Sequence, residues 1–210
     1  MTLNIAPIRV LVADDHAALR DGVAAIVSNE ADITIAGEAA NGEEAIAAFR
    51  NLRPDIMLLD LQMPALGGLE VIKAVREEFA GARIVVLTTY EGDVQALRAL
   101  KAGASGYLLK TSLRKELLEA IRVVHAGRRY VLAEVAQEIA IHAAEDPLTT
   151  REVEILGMVA EGNANKVIAR RLSLSEDTVK AHLRAIYSKL DVNDRTQAVT
   201  VALRRGIIAL

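Results

Sequence analysis

The sequence predicts two domains of different architecture: an open, doubly wound α/β sheet of parallel strands, then an all-helical domain of four short helices. Three observations predict this. Nearly continuous aliphatic runs alternate with amphipathic stretches over the first part of the chain, as expected of parallel strands buried on both faces. That rhythm stops near Ala126. Beyond Pro147 the apolar positions recur only at helical spacing.

In chain order, apolar runs at 8–13, 56–59 and 84–87 end in polar residues, while 33–36 and 107–109 are shorter and weaker. Helical patterns lie between or after them at 17–28, 43–51, 68–78, 93–102 and 112–125. Five such βα units imply a sheet whose ligand crevice lies at the C-terminal ends of its strands. Residues 131–144 then read as a helix with Leu132, Val135, Ile139 and His142 on one side, a tether that packs lightly on a neighbour. Thr149-Thr150-Arg151-Glu152 spells a capping box, in which hydroxyl and carboxylate each satisfy a free backbone N–H. Helices are expected from there to Gly162, over 166–172, over 176–190 behind a Ser175 cap, and over 195–204. The expected domains are 6–126 and 147–210, with a helical linker at 127–146.

Composition narrows the chemistry. The 210 residues carry a net charge of −3, are 52% hydrophobic, and include two Phe, four Tyr and no Trp. The core is therefore aliphatic, and a nucleic-acid surface built on base stacking is disfavoured. The absence of Cys excludes disulfides, thiolate nucleophiles and Cys-ligated zinc. No apolar run reaches membrane-spanning length, and residues 1–8 lack the regions of a signal peptide, so a cytoplasmic protein without a membrane partner is expected. Charge is uneven: residues 147–210 hold ten basic and seven acidic groups, a net +3, against −6 before them. A nucleic-acid partner is thus expected for the second domain only.

The unusual polar residues of the first domain stand at predicted strand ends. Asp14-Asp15 follow the first run, Asp60 the third, Thr88 the fourth and Lys110 the fifth. Three converging carboxylates repel one another unless a cation neutralises them, and Mg²⁺ suits an all-oxygen set. Asp60 is then positioned to act as a nucleophile forming an aspartyl phosphate, with metal and Lys110 neutralising the phosphoryl oxygens. Taken singly, each residue has an ordinary alternative: Asp15 as a helix cap, Asp60 as a loop cap, Lys110 as a solvated charge, Tyr107 as a half-buried strand aromatic.

Several segments in this order carry a resemblance: Val12-Ala13-Asp14-Asp15-His16, Leu58-Leu59-Asp60-Leu61-Gln62-Met63-Pro64, Gly68-Leu69-Glu70, Leu87-Thr88, and Gly103-Ala104-Ser105-Gly106-Tyr107-Leu108-Leu109-Lys110. Residues 8–125 resemble the receiver domain of two-component response regulators. The resemblance implies a flavodoxin-like five-stranded parallel sheet in the order 2-1-3-4-5. It also implies that Asp60 accepts phosphoryl from the phosphohistidine of a sensor histidine kinase. Asp14, Asp15 and Asp60 would hold Mg²⁺ with the backbone carbonyl of Gln62, Lys110 would bridge to the phosphoryl group, and Thr88 and Tyr107 would form a switch pair. Phosphorylation adds roughly −1.5 to −2 charges, so Thr88 is expected to move towards the new oxygens and open a space into which Tyr107 turns. The domain departs from the family at Gly67, where Asp or Asn is usual, and Gly67-Gly68 is expected to loosen the loop. Tyr90 is bulky and near the path of a hydrolytic water, which suggests slow self-dephosphorylation.

In the second domain, Val179, Leu183, Ile186 and Leu190 form a core stripe, leaving Lys180, Ala181, Arg184 and Ser188 on another face. From spacing alone this is either a solvated face or the reading helix of a helix-turn-helix. Further residues add a resemblance: Leu148-Thr149-x-Arg151-Glu152, Asn165-Lys166-x-Ile168-Ala169, Leu174-Ser175-x-x-Thr178-Val179-Lys180-x-His182, and Asp194-Arg195-Thr196-Gln197-Ala198. Residues 148–208 resemble the C-terminal domain of the NarL/LuxR (FixJ) group. This implies that Lys180, Ala181 and Arg184 face the major groove, and that Lys166, Thr178 and Arg195 contact phosphates. Ala164 and Val167 replace the usual Ser and Glu, removing a cap bond and a surface charge.

The combined reading is a transcription regulator that is phosphorylated on Asp60, dimerises, and binds promoter DNA, with RNA polymerase a further candidate partner. No turnover beyond its own phosphotransfer and self-dephosphorylation is expected. Val199, Ala202 and Leu203 belong either to a dimer contact or to the domain's own core. The rivals are a regulator that binds DNA constitutively without phosphate, a ligand-sensing regulator, and an Asp-nucleophile phosphatase. That last class wants a second Asp where this chain has Gln62.

Overall fold

A computed structural model describes residues 6–89, 92–142 and 146–208. Internal contacts divide them into two units, 6–89 with 96–133, and 92–95 with 134–208.

In the first unit, strands β1 (Ile8–Ala13), β2 (Ile33–Ala39), β3 (Ile56–Asp60), β4 (Ile84–Thr88), β5 (Gly106–Leu109) and β6 (Tyr130–Val131) form one parallel sheet. Its order is β2-β1-β3-β4-β5-β6. The expected order 2-1-3-4-5 holds, and a sixth strand extends the β5 edge. Residue 131 was expected to open a helix; instead Tyr130 and Val131 pair with Gly106 and Tyr107. The Tyr130 hydroxyl, donating to Glu116, anchors this edge. β2 also runs three residues beyond its apolar stretch, because Gly37, Glu38 and Ala39 keep the ladder with Leu11, Val12 and Ala13.

Helices α1 (Ala17–Val27), α2 (Gly42–Leu52), α3 (Gly68–Glu78), α4 (Asp93–Ala102) and α5 (Leu113–His125) alternate with the strands, and a 3-10 turn (Lys110–Ser112) precedes α5. Alternate strand residues select the faces. Val10, Val12, Leu58, Val85, Leu87 and Leu108 form one core with Val23 and Val27 of α1 and Leu117, Ile121 and Val124 of α5. These side chains are almost completely buried, each contributing about 1.5–3 kcal/mol. The packing makes the strands rigid rails for whatever sits at their ends.

The second unit carries α6 (Ala133–His142), α7 (Thr150–Ala160), α8 (Asn165–Arg171), α9 (Glu176–Lys189) and α10 (Arg195–Arg204). The expected helix at 131–144 thus starts two residues later, and residues 143 and 144 lie outside those described. Ile155, Leu156, Val159, Ile168, Val179, Leu183, Ile186, Ala198 and Ala202 share a core. Val199 and Leu203 pack on it, so the α10 apolar residues serve their own domain. The Thr149–Glu152 capping box is complete, Ser175 accepts from Thr178 N–H at 3.0 Å, and Asp194 accepts from Gln197 N–H at 2.8 Å. Ala164 precedes α8 without a side-chain cap.

Candidate functional site

Sheet register builds the first site. Ala13 pairs with Leu59, Asp60 with Leu87, and Thr88 with Leu109. One step past these pairs, Asp14, Asp60, Thr88 and Lys110 end four adjacent strands. The order reverses between β1 and β3, where an α/β sheet opens its ligand crevice. Asp14, Asp60 and Thr88 are buried.

Lys110 joins the acids. Its Nζ donates to Asp60 Oδ2 at 2.8 Å and lies 2.7 Å from Asp14 Oδ2 as an ion pair. Despite that pairing, the buried Asp14 Oδ2 makes no aligned hydrogen bond. Burial pushes the Asp60 carboxyl above the usual carboxylate range; Lys110 and the Gln62 backbone N–H pull against it, and Asp14 adds to the rise. Burial also works against the Lys110 charge, but Asp14 and Asp60 outweigh it and hold the ammonium above its ordinary value. Asp14, Asp15, His16 and Asp60 offer ligand atoms within 4.8 Å of one another. Hard carboxylate oxygens dominate that set, so the residues fit a divalent ion.

Two neighbours were not singled out from the sequence. Arg20, one helical turn past His16, donates from Nη1 to the Asp14 carbonyl at 2.7 Å and from Nε to Glu38 at 2.8 Å. It ties the end of β1 to β2. His16 itself turns its Nδ1 onto Asp15 Oδ1 at 2.6 Å. The spacing of Arg20 from Asp14 and the adjacency of His16 were the available signals.

The two residues expected to form a switch pair, Thr88 and Tyr107, are in contact. Tyr107 is completely buried and its hydroxyl bonds to the Thr88 side chain, while burial pushes the phenol strongly upward. The loop at Gly67-Gly68, expected to be loose, is tightly seated. A Cβ on Gly68 would lie 2.3 Å from the Asp60 carbonyl oxygen, and Gly68 N–H donates to the Leu61 carbonyl at 3.0 Å. Glycine here lets α3 start directly against the backbone of Asp60. Tyr90 lies outside the described residues.

The second site is local. On α9 the core stripe faces inward, leaving Lys180, Ala181, Arg184 and Ser188 exposed and Thr178 half-buried. Lys180 Nζ lies 3.2 Å from Asp177 and 3.7 Å from Glu176. The Thr178 hydroxyl shares a hydrogen bond with Ser175 at 2.7 Å. Lys166 on α8 is exposed. Arg195 is half-buried, its guanidinium donating to the Asn163 carbonyl at 2.6 Å and the Val159 carbonyl at 3.3 Å. It therefore closes the end of α7. His182 is half-buried, and Val167 exposes its apolar side chain.

Comparison with known proteins agrees with the two-domain architecture. Residues 10–122 match the family described as the response regulator receiver domain. Residues 146–202 match the bacterial regulatory proteins of the luxR family. The transcriptional regulatory protein LiaR of Bacillus subtilis is 40% identical, the alignment covering 96% of this chain and 99% of that protein. The nitrate/nitrite response regulator NarL of Escherichia coli is also 40% identical, covering 93% and 94%. Among solved structures, ChrA, the response regulator of a heme-sensing two-component system, matches with a TM-score of 0.58 and 36% identity over 97% of this chain and all of that one. The RcsB–DNA complex of 22% identity shares the fold, with a TM-score of 0.72 over 94% of this chain and 98% of that one. The acidic cluster is of the kind that receivers use for metal and phosphoaspartate. The chain belongs to the NarL/LuxR family of two-component response regulators, a receiver domain followed by a LuxR-type helix-turn-helix domain.

Proposed function

We propose that Asp60 is the phosphoacceptor, that its phosphorylation promotes dimerisation, and that the dimer controls binding of α9 to promoter DNA in the cytoplasm. One observation carries the reading: the Asp60 carboxylate ends a central strand with Lys110 at 2.8 Å and the buried Asp14 alongside. An Asp60 oxygen attacks phosphorus of a sensor kinase's phosphohistidine; the P–N bond breaks, and the imidazole leaves with its electron pair and takes up a proton. Asp14, Asp15, Asp60 and the Gln62 carbonyl would hold Mg²⁺. Bound there, the ion supplies charge neutralisation to the transferring phosphoryl oxygens. Lys110 holds Asp60 in place and pairs with a phosphoryl oxygen, and the Thr88 hydroxyl is placed to bond another. The chain turns over no other substrate.

On DNA, Arg184, Lys180 and Ala181 read the major groove, while Lys166 and Thr178 contact phosphates; Arg195 positions this surface through α7 and meets the backbone at its edge. Two linked modules gain affinity that one cannot reach. Incubation with acetyl phosphate and Mg²⁺ tests the reading by intact mass and sedimentation. One phosphoryl group, a shift to dimer and tighter DNA binding are expected. Stoichiometric labelling of Asp60→Ala overturns the assignment.

A second reading, constitutive DNA binding without phosphate, draws on Tyr107 being buried against Thr88 already. Undiminished promoter response in Asp60→Asn would favour it.

A further inference from the structure

This inference rests on the reading of α9 as the helix that enters the major groove, and adds an acidic residue to it. At about 3.6 residues per turn, Asp177 shares one side of α9 with Lys180, Ala181, Arg184 and Ser188, opposite the buried Val179, Leu183 and Ile186. It stands near the middle of that side and in the first turn, the end of a recognition helix that meets base edges. Its side chain is 92% exposed. Ser175 caps the helix, accepting from Thr178 N–H at 3.0 Å, and Glu176 supplies another first-turn acid. The fold therefore does not need the carboxylate at 177.

A carboxylate at the centre of a DNA-facing surface is repelled by the phosphates on either side. A hydrogen-bond donor in the groove has to offset that repulsion, and the bases offer two there, cytosine N4 and adenine N6. Adenine sets the acceptor N7 beside its amine, which a carboxylate meets unfavourably; cytosine presents its amine alone. Lys180 sharpens the choice. Its Nζ donates to Asp177 Oδ1 at 3.2 Å. Across a C·G pair the cytosine amine and guanine O6 are hydrogen-bonded to each other at about 2.9 Å, nearly the same spacing. The acid and the lysine thus face a donor and an acceptor in matching order. An A·T pair has the same spacing, but there the lysine meets the single acceptor O4 beside the thymine methyl instead of guanine O6 and N7.

We propose that Asp177 is a specificity-determining residue that accepts a hydrogen bond from cytosine N4, with Lys180 donating to the paired guanine. The two residues then read one C·G pair together. Their exposed ion pair contributes little to stability, so substitution at 177 leaves α9 folded.

The test selects binding sites for the full chain, with and without acetyl phosphate and Mg²⁺, from a library of random-sequence duplexes. Wild-type protein is expected to enrich a site in which cytosine is preferred about tenfold at one position. Asp177→Ala is expected to lose the preference at that position alone, and Asp177→Asn to shift it to adenine, whose N6 and N7 match an amide. Replacing that cytosine by an analogue lacking the exocyclic amine should weaken wild-type binding about tenfold and leave binding of Asp177→Ala unchanged. The same cytosine preference in Asp177→Ala, or wild-type indifference to the missing amine, overturns the inference and leaves α9 standing as the recognition helix. If the wild type enriches no sequence in either condition, the reading of α9 falls as well.

Discussion

The acidic crevice and the basic helix are built in opposite ways. Asp14, Asp60 and Lys110 are separated by tens of residues and meet because parallel strands in register end together. Lys180, Ala181 and Arg184 meet because they share one turn of α9, whose opposite side is the stripe Val179, Leu183 and Ile186. The first site is buried and its charges are strongly coupled. The second is exposed, so its charges are nearly independent. A substitution in the crevice should therefore disturb its neighbours, whereas one on α9 should act alone.

Lys110→Met offers the largest test of this contrast. It leaves Asp14 and Asp60 facing each other without their shared cation, and should destabilise the receiver in metal-free buffer by about 3 kcal/mol. Adding Asp60→Asn should return much of that loss in chemical denaturation. Strict additivity of the two substitutions would break the picture of a coupled crevice.

Arg184→Ala should cost about 2 kcal/mol of specific DNA affinity if the guanidinium reads a base, with thermal stability unchanged. Equal loss on random DNA, measured by titration at fixed salt, would move Arg184 to the phosphate contacts.

Glu152 makes an intermediate case, a buried acid inside the exposed domain. Burial pushes its carboxyl up, but Lys189 and the Thr149 donors outweigh burial and hold it below its ordinary 4.5. The sign follows: the stabilisation is complete above about that pH and is lost as pH falls through the lower folded-state value. Glu152→Gln should remove roughly 1.5 kcal/mol at neutral pH and flatten the acid limb of the melting curve. An identical acid limb in the variant would assign that limb to other carboxylates.

The smallest effect belongs to Lys166→Ala. A phosphate contact should weaken all sequences alike and reduce the salt dependence of binding by about one unit. Sequence-selective loss would contradict that role.

Legibility followed the same division. The boundaries of β1 and α10 were readable, because aliphatic runs and caps are local signals. Tyr130-Val131 gave no strand signal, since two residues are too short for periodicity and pair only because the β5 edge is there to receive them. The extension of β2 through Gly37 and Glu38 likewise depends on the partner strand rather than on apolar pattern. Arg20 reads as a solvated helix charge until β2 and the Asp14 carbonyl come within its reach. Arg195 reads as a DNA contact from its motif, yet its guanidinium is held on backbone carbonyls at the end of α7.

From the sequence alone came the two-domain order, the strand-end acids, the core stripe and basic face of α9, and hence the family. These depend on periodicity, capping and residue chemistry, all short-range. Only the tertiary structure decided that Lys110 bridges two buried carboxylates, that Tyr107 is already enclosed against Thr88, and that His16 turns towards the acids. Those outcomes depend on distances between chain segments that meet only after folding, and on the loss of water that comes with their burial.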